Sequence, residues 1–184
     1  DRVTRLARRI AKTESGDLYV INLAALLHDL DDWKFRKVGH NVNVGLLLRK
    51  FKVDKNTIKK VLEITENISF KLGTNKHKMM TIEGEVVQDA DRLDAIGAIG
   101  IARLFAFGGK FGRQIHNPEK KVKLYKSLRN FKWTTNTSLH HFNEKLIHIK
   151  ERMNTVTGKR MAGRRHRFLE VYLKEFYKDW DANQ

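Results

Sequence analysis

Apolar residues recur along this chain at spacings of three and four, which is the period of one face of an α-helix. A first helix is predicted around the stripe formed by Val3, Leu6, Ala7, Ile10 and Ala11. Ser15-Gly16-Asp17 interrupts the pattern, and Asp17 is the predicted N-cap of a second helix over residues 18 to about 29. This second helix is apolar on most sides, so we expect it to be largely buried.

Two shorter helices and one long helix are predicted next. A third helix is expected near residues 42–51, and Asp54 is expected to cap a fourth. Residues 70–80 are predicted to form a loop. A long helix follows over residues 84–107, where Gly97 and Gly100 would each cost about 1 kcal/mol relative to alanine. Their compensation is expected to be close approach of another helix, and Gly108-Gly109 is expected to end the long helix.

The last third of the chain returns to helical periodicity after a polar, basic connection. Residues 110–136 form this connection, with a short helix predicted over 122–128. Ser138 is the predicted cap of a helix whose apolar positions alternate at three and four: Leu139, Phe142, Leu146, Ile149 and Met153. A final helix is predicted over residues 157–180. Such spacing is more typical of antiparallel packing within a domain than of a coiled coil. We therefore expect an all-α fold with one domain over residues 1–184.

Composition limits the possible partners and compartments. The 37 Lys and Arg residues against 21 Asp and Glu give a formal net charge of +16, which favours polyanions, although basic solvated faces are also common. The longest uncharged apolar run, residues 95–102, is far below the roughly 18 residues that cross a bilayer. Without cysteine there is no disulfide or thiolate metal site. A soluble, cytoplasmic protein without a membrane partner is expected, and the missing initial Met predicts a truncated N-terminus.

A His-Asp pair ends the second predicted helix. His28-Asp29 stands beside Leu26, Leu27 and Leu30, and burial of an ionised carboxylate there is costly unless a metal or another cation balances it. Taken alone, the pair is also consistent with a capping histidine beside a solvated acid.

Three carboxylates, Asp89, Asp91 and Asp94, lie in the long predicted helix. Asp91 and Asp94 are three residues apart and share a face, whereas Asp89 points elsewhere. The structural alternative is pairing with Arg92 and Arg103, which is more credible for Asp89 and Asp94 than for all three.

Together these motifs resemble the HD superfamily of phosphohydrolases. His28-Asp29 followed some sixty residues later by Ala90-Asp91-Arg92-Leu93 is similar to the H…HD…D signature. Longer blocks, residues 23–29, 66–71 and 88–103, are similar to one compact bacterial-type subfamily, as are Met153-Asn154-Thr155 and Arg165-His166. The resemblance implies an all-helical fold with a metal ion between helices.

The resemblance also implies a set of metal ligands. The family uses two histidines and two aspartates, and His28, Asp29 and Asp91 match three of them. The first histidine is expected two positions upstream of Asp1, outside this sequence. Imidazole and carboxylate ligands suit one divalent ion such as Mn²⁺, Mg²⁺, Co²⁺, Ni²⁺ or Fe²⁺.

Further site residues follow from the same motifs. Asp32 lies three residues after Asp29, where HD nucleotide hydrolases commonly carry an acid, so it is the predicted general base. Asp31 is the fallback, with simple solvation as its alternative. The candidates for substrate binding are the cations Lys34, Lys71 and Arg92 and the donors Asn67 and Ser69, each with an ordinary surface role as its alternative. The matching motifs do not support a second metal at His40, His77, His116, His140 or His141.

The expected function is that of a metal-dependent phosphohydrolase acting on a small phosphorylated substrate, most of all a nucleotide. The predicted reaction converts a (deoxy)nucleoside triphosphate into monophosphate and pyrophosphate. One alternative is an HD phosphodiesterase acting on nucleic acid or on another phosphate ester, and binding of nucleic acid would collapse steeply with added salt. A metal-free HD scaffold that only binds a partner or a nucleotide is the other alternative.

Overall fold

Every regular element in the described chain is a helix. The computed structural model describes residues 1–30, 43–68, 79–120 and 137–182, and these ranges contain no β-strand. The all-α prediction is therefore confirmed. None of the helices in these ranges is both long enough and apolar enough to cross a bilayer.

The helices of the described ranges are numbered α1 to α8. Their bounds are α1 (Arg2–Glu14), α2 (Leu18–Leu27), α3 (Val44–Lys50), α4 (Lys55–Asn67), α5 (Ile82–Asp94), α6 (Ala98–Lys110), α7 (His140–Glu144) and α8 (Val156–Trp180). The first four predicted helices and the last one are confirmed, with ends shifted by a few residues. Most of the predicted loop at 70–80 and the whole predicted helix at 122–128 lie outside the described residues.

Side-chain caps determine where several helices begin. The Asp17 carboxylate accepts hydrogen bonds from the backbone amides of Tyr19 and Val20 at 2.8 and 3.3 Å. Asp54 does the same for the first amides of α4, at 3.0 Å each. Because the first amides of a helix have no intrahelical acceptor, these carboxylates satisfy them. Both predicted caps are confirmed.

The long helix predicted over residues 84–107 is wrong, because the chain turns between α5 and α6. Gly97 adopts φ 81°, a left-handed conformation that glycine tolerates far better than other residues. A Cβ on Gly100 would collide with the backbone of Ala95 in the same turn. The two glycines therefore permit a turn, although the Arg165 side chain of α8 also packs against Gly97. Gly108-Gly109 does not end α6, which continues to Lys110 and is followed by Gly112 at φ 63°.

The prediction of one continuous helix over residues 138–153 is also wrong. Only α7 is α-helical, and two 3₁₀ turns, Leu146–His148 and Lys150–Arg152, follow it. The cap is not Ser138, because the hydroxyl of Thr137 accepts the hydrogen bond from the His140 amide. The apolar positions of the pattern are nevertheless all buried, as predicted.

The chain divides into two compact units. The first comprises Asp1–Asp91 and Asn154–Thr157, and the second Arg92–Met153 and Gly158–Gln184. The division falls within α5 and within α8. The single domain expected over residues 1–184 stays a prediction.

In the first unit, α2 packs against α1 and α4, and α3 packs against α4. The fully buried side chains of this core include Ile10 of α1, Ile21 of α2 and Ile64 of α4. The start of α8 joins the end of α1, because Glu14 accepts a hydrogen bond from the Thr157 amide at 2.6 Å. This unit contains most of the candidate site residues.

The second unit has an aromatic core. The rings of Phe142 and Tyr172 stack with centroids 5.9 Å apart, and Phe105 packs against both at 6.3 and 6.1 Å. Leu139 and Leu169 are almost completely buried in the same unit.

Candidate metal centre

The end of α2 fixes the orientation and the tautomer of His28. Its Nδ1 lies 2.8 Å from the carbonyl oxygen of Ala25, one turn earlier. Because a carbonyl can only accept, Nδ1 carries the proton and donates it to this bond. The lone pair of a neutral His28 is therefore on Nε2, the atom that is left to bind a proton or a metal.

The start of α5 is tied to the start of α2, and this brings Asp91 toward His28. The Asp17 amide donates a hydrogen bond to the Glu83 carboxylate at 2.9 Å. His28 follows Asp17 by eleven residues and Asp91 follows Glu83 by eight. Because α2 and α5 begin next to each other, the His28 imidazole at the end of α2 and the Asp91 carboxylate in α5 lie close together.

Two carboxylates face the Nε2 atom of His28. Asp29 Oδ2 lies 3.2 Å from it and Asp91 Oδ1 lies 3.7 Å from it. The His28 side chain is 10 % exposed, whereas those of Asp29 and Asp91 are 61 % and 39 % exposed. The structure thus brings together the three residues that the sequence indicated as ligands.

The electrostatics of this group favour a cation. Burial lowers the pKa of His28, but the hydrogen bond with Asp29 and the charges of Asp91 and Asp29 raise it, and the net pKa is above the usual value. The carboxylates stabilise positive charge at Nε2, whether it comes from a proton or from a metal ion.

The spacing of the donors is compatible with a divalent ion. Neighbouring ligands with bonds of about 2.1 Å stand roughly 3.0–3.5 Å apart, and the two separations from Nε2 are close to this range. Within the described residues, however, no group of three or more His, Asp or Glu side chains is positioned so that it could hold a metal ion. The donor atoms of the three residues are of the type that a divalent ion prefers, but they do not form a complete coordination shell.

Asp89, two residues before Asp91, has a structural role, as the sequence allowed, but its donors are Asn154 and Thr155, which the sequence did not identify. It is fully buried, and each of its oxygens accepts two hydrogen bonds. Oδ1 accepts from the backbone amide and the Nδ2 group of Asn154 at 2.9 and 3.0 Å. Oδ2 accepts from the backbone amide and the hydroxyl of Thr155, both at 2.8 Å. We call this arrangement the Asp89 clasp.

A signal for the clasp was present in the sequence. Asp89 follows Val86-Val87-Gln88 and precedes Ala90, so it lies in a largely apolar stretch where a buried carboxylate must find donors. The pattern could not show that these donors come from residues 154–155. For Asp94 the predicted pairing is confirmed, because Arg103 donates a hydrogen bond to its carboxylate.

Two of the five predicted substrate-binding residues, Arg92 and Asn67, are among the described residues. Arg92 donates a hydrogen bond to the carbonyl oxygen of Arg152, and Asn67 Nδ2 donates one to the Glu63 carbonyl at 2.8 Å. Both side chains are partly exposed. The remaining predicted catalytic and substrate-binding residues lie outside the described residues: Asp31, Asp32, Lys34, Ser69 and Lys71.

The other described histidines do not form a second centre of three ligands. Burial, together with the charges of Lys145 and Arg113, lowers the pKa of His141 to about 3. Burial and the nearby His116 and Lys120 also lower the pKa of His140. His40 and His77 lie outside the described residues.

Comparison with known proteins identifies the class. Residues 2–96 match the HD domain family. The uncharacterized protein YpgQ of Bacillus subtilis is 36 % identical over 183 residues, which are 97 % of this chain and 80 % of YpgQ. The chain therefore belongs to the HD-domain family.

Solved structures agree with this family. A Lactobacillus plantarum protein is 35 % identical with a TM-score of 0.86, over 99 % of this chain and 85 % of that protein. An HD-superfamily hydrolase of Bacillus thuringiensis is 37 % identical with a TM-score of 0.74, over 99 % and 84 % of the two chains. YpgQ in complex with ADP is 34 % identical with a TM-score of 0.77, over 97 % and 85 %. The protein is accordingly a hydrolytic enzyme of the HD superfamily, whose members generally depend on a divalent metal ion.

Proposed function

We propose that this HD hydrolase converts (deoxy)nucleoside triphosphates into monophosphate and pyrophosphate. The observation that carries the proposal is the convergence of Asp29 and Asp91 on the Nε2 lone pair of His28. A nucleotide substrate is supported by YpgQ, the homologue whose crystal structure contains ADP.

His28, Asp29 and Asp91 would hold one divalent ion, such as Mn²⁺, Mg²⁺, Co²⁺, Ni²⁺ or Fe²⁺. When bound, such an ion supplies Lewis-acid activation of water and offsets phosphate charge. The hydrogen bond from His28 Nδ1 to the Ala25 carbonyl places the lone pair of the neutral imidazole on Nε2 and directs it toward the two carboxylates, where a metal ion would compete with a proton for it.

Asp32 is the proposed general base, which would take the proton of the attacking water. Asp31 is the fallback for the same role. Both assignments rest on the position of these residues three and two places after Asp29.

The triphosphate requires further positive charge. It brings about four negative charges to a site that already has two carboxylate ligands. One divalent ion cannot neutralise all of this negative charge, so nearby cations must neutralise the rest. Lys34, Lys71 and Arg92 are the proposed cations, and Asn67 and Ser69 are the proposed hydrogen-bond donors. Attack at the α-phosphorus would make pyrophosphate the leaving group, and these cations would bind it as it departs.

Phosphorus NMR of the products tests the proposal. The metal-loaded enzyme is mixed with each deoxy- and ribonucleoside triphosphate, and monophosphate plus pyrophosphate is the expected pair. Nucleoside plus triphosphate would keep the class and overturn the position of attack, as would diphosphate plus orthophosphate. If a metal-loaded sample turned over no nucleotide, either the phosphodiesterase or the scaffold alternative would replace the proposal.

A further inference from the structure

The α3–α4 hairpin, residues 43–67, carries a dense basic surface over residues 49–60, a part of the hairpin that contains none of the residues proposed for hydrolysis. Residues 49–60 hold six cations against one carboxylate: Arg49, Lys50, Lys52, Lys55, Lys59 and Lys60 against Asp54. All of the cations except Lys60 are exposed. The Asp54 carboxylate is engaged by the first amides of α4. Within the described part of the chain, none of the six cations makes an ion pair, so their charge faces solvent.

A groove runs along this hairpin, with a volume of about 520 Å³. Its lining changes character along α4. Arg49, Lys55 and Lys59 line the half near the start of α4. The other half is lined by Glu63, Glu66 and Asn67, and Ile58 and Leu62 add apolar surface. A linear polyanion is therefore expected to follow the first half of the groove.

An aromatic side chain stands at the turn between the two helices. Phe51 is 71 % exposed and lies in sequence between Lys50 and Lys52. This phenylalanine contributes little to the core, whereas an exposed ring between cations is suited to stack on a nucleobase.

We infer that the α3–α4 hairpin binds single-stranded nucleic acid, with the cations along the phosphate backbone and Phe51 stacked on a base. Charge complementarity calls for a polyanion, and the groove favours an extended chain over a flat bilayer surface. An exposed ring favours a single strand, because the bases of a duplex are already stacked on one another. The inference concerns binding alone and does not depend on the proposed hydrolysis.

Fluorescence anisotropy with a labelled single-stranded oligonucleotide of about 16 nucleotides tests the inference. EDTA is present so that hydrolysis is excluded, and salt is varied. The test variant combines Lys50→Glu, Lys55→Glu and Lys59→Glu. The matched control combines Lys150→Glu, Lys159→Glu and Lys174→Glu, which changes the net charge equally at other exposed lysines. Circular dichroism verifies that both variants are folded.

The hairpin variant is expected to lose at least about tenfold in affinity. Its log–log salt slope should become shallower by about 2, since each phosphate contact with a single strand contributes roughly 0.7. The control should keep both values near those of the unmodified protein. Equal losses in the two variants would reduce the effect to net charge and overturn the inference.

Phe51→Ala tests the stacking step separately. It should weaken binding by at least about fivefold, because a base on an aromatic ring contributes about 1–3 kcal/mol. The salt slope should stay unchanged, since no charge is removed. Unchanged affinity would overturn the assignment to a single strand. Binding to vesicles of anionic phospholipid without binding to the oligonucleotide would identify a membrane surface instead and overturn the inference as well.

Discussion

Asp89 and Asp91 are two residues apart on α5, yet their surroundings are opposite. Asp89 is fully buried, and four donors from Asn154 and Thr155 satisfy its two oxygens. Asp91 is partly exposed and faces the Nε2 atom of His28, which in the neutral ring is itself an acceptor. Side chains two positions apart on an α-helix differ in direction by about 200°, because each residue turns the helix by about 100°. The two carboxylates therefore point to opposite sides of α5.

The contrast shows that the groups around a carboxylate indicate its role. At Asp89, hydrogen bonds from neutral donors offset the free-energy cost of burying the carboxylate. Such a carboxylate stabilises the fold. When a carboxylate faces another acceptor, as at Asp91, the arrangement favours a cation from outside the chain. The same residue type on one helix thus serves stability at one position and, as we propose, metal binding at the other.

The largest expected effect separates these roles directly. Asp91→Ala or His28→Ala should reduce hydrolysis to background and lower the bound metal, because each change removes a proposed ligand. Without metal, the free energy of unfolding should change little in Asp91→Ala, whose side chain is 39 % exposed, and more in His28→Ala, whose side chain is 10 % exposed. Metal analysis, turnover and denaturant unfolding measure the three quantities. Full metal occupancy with normal turnover would remove the residue from the centre.

Asp89→Ala should show the reverse pattern. It leaves the amides of Asn154 and Thr155 without their buried acceptor, which is expected to cost about 3 kcal/mol or more of unfolding free energy. Denaturant unfolding without metal measures this loss. Asp89→Asn, which keeps one carbonyl acceptor, should lose less. A stable Asp89→Ala protein with impaired metal binding would instead place Asp89 with the metal centre.

Asp32→Asn tests the proposed general base. The variant should keep its metal and lose about 10²-fold in rate, because the proton acceptor is removed while the ligands remain. Single-turnover kinetics with parallel metal analysis makes the measurement, and Asp31→Asn is the matched control. A larger loss in the control would transfer the role of base to Asp31.

Local signals in the sequence predicted much of the fold. Apolar periodicity identified α1 to α4 and α8, and Asp17 and Asp54 were recognised as caps, because both signals act over a few neighbouring residues. The turn at Gly97 was missed because the apolar pattern continues on both sides of it. The 3₁₀ turns after α7 were missed because they keep the predicted apolar positions buried.

The candidate site was predictable only where a motif carried it. His28, Asp29 and Asp91 were named from the family signature, and the structure brings them together. The Asp89 clasp joins residues 65 and 66 positions apart, and no local pattern encodes such a pairing. The clasp could be anticipated only as a requirement that buried Asp89 have donors.

The smallest expected effect is at Thr155, whose hydroxyl donates one of the four hydrogen bonds of the clasp. Thr155→Val keeps the shape of the side chain but removes this donor, which should cost about 1–2 kcal/mol. Thr155→Ser keeps the hydroxyl and should cost less. Metal content and turnover of the folded protein should be unchanged in both. In the background of Asp89→Ala the hydroxyl has lost its acceptor, so the cost of Thr155→Val should largely disappear. A full cost in both backgrounds, measured by denaturant unfolding, would show that Thr155 contributes by packing and that the clasp is weaker than its geometry indicates.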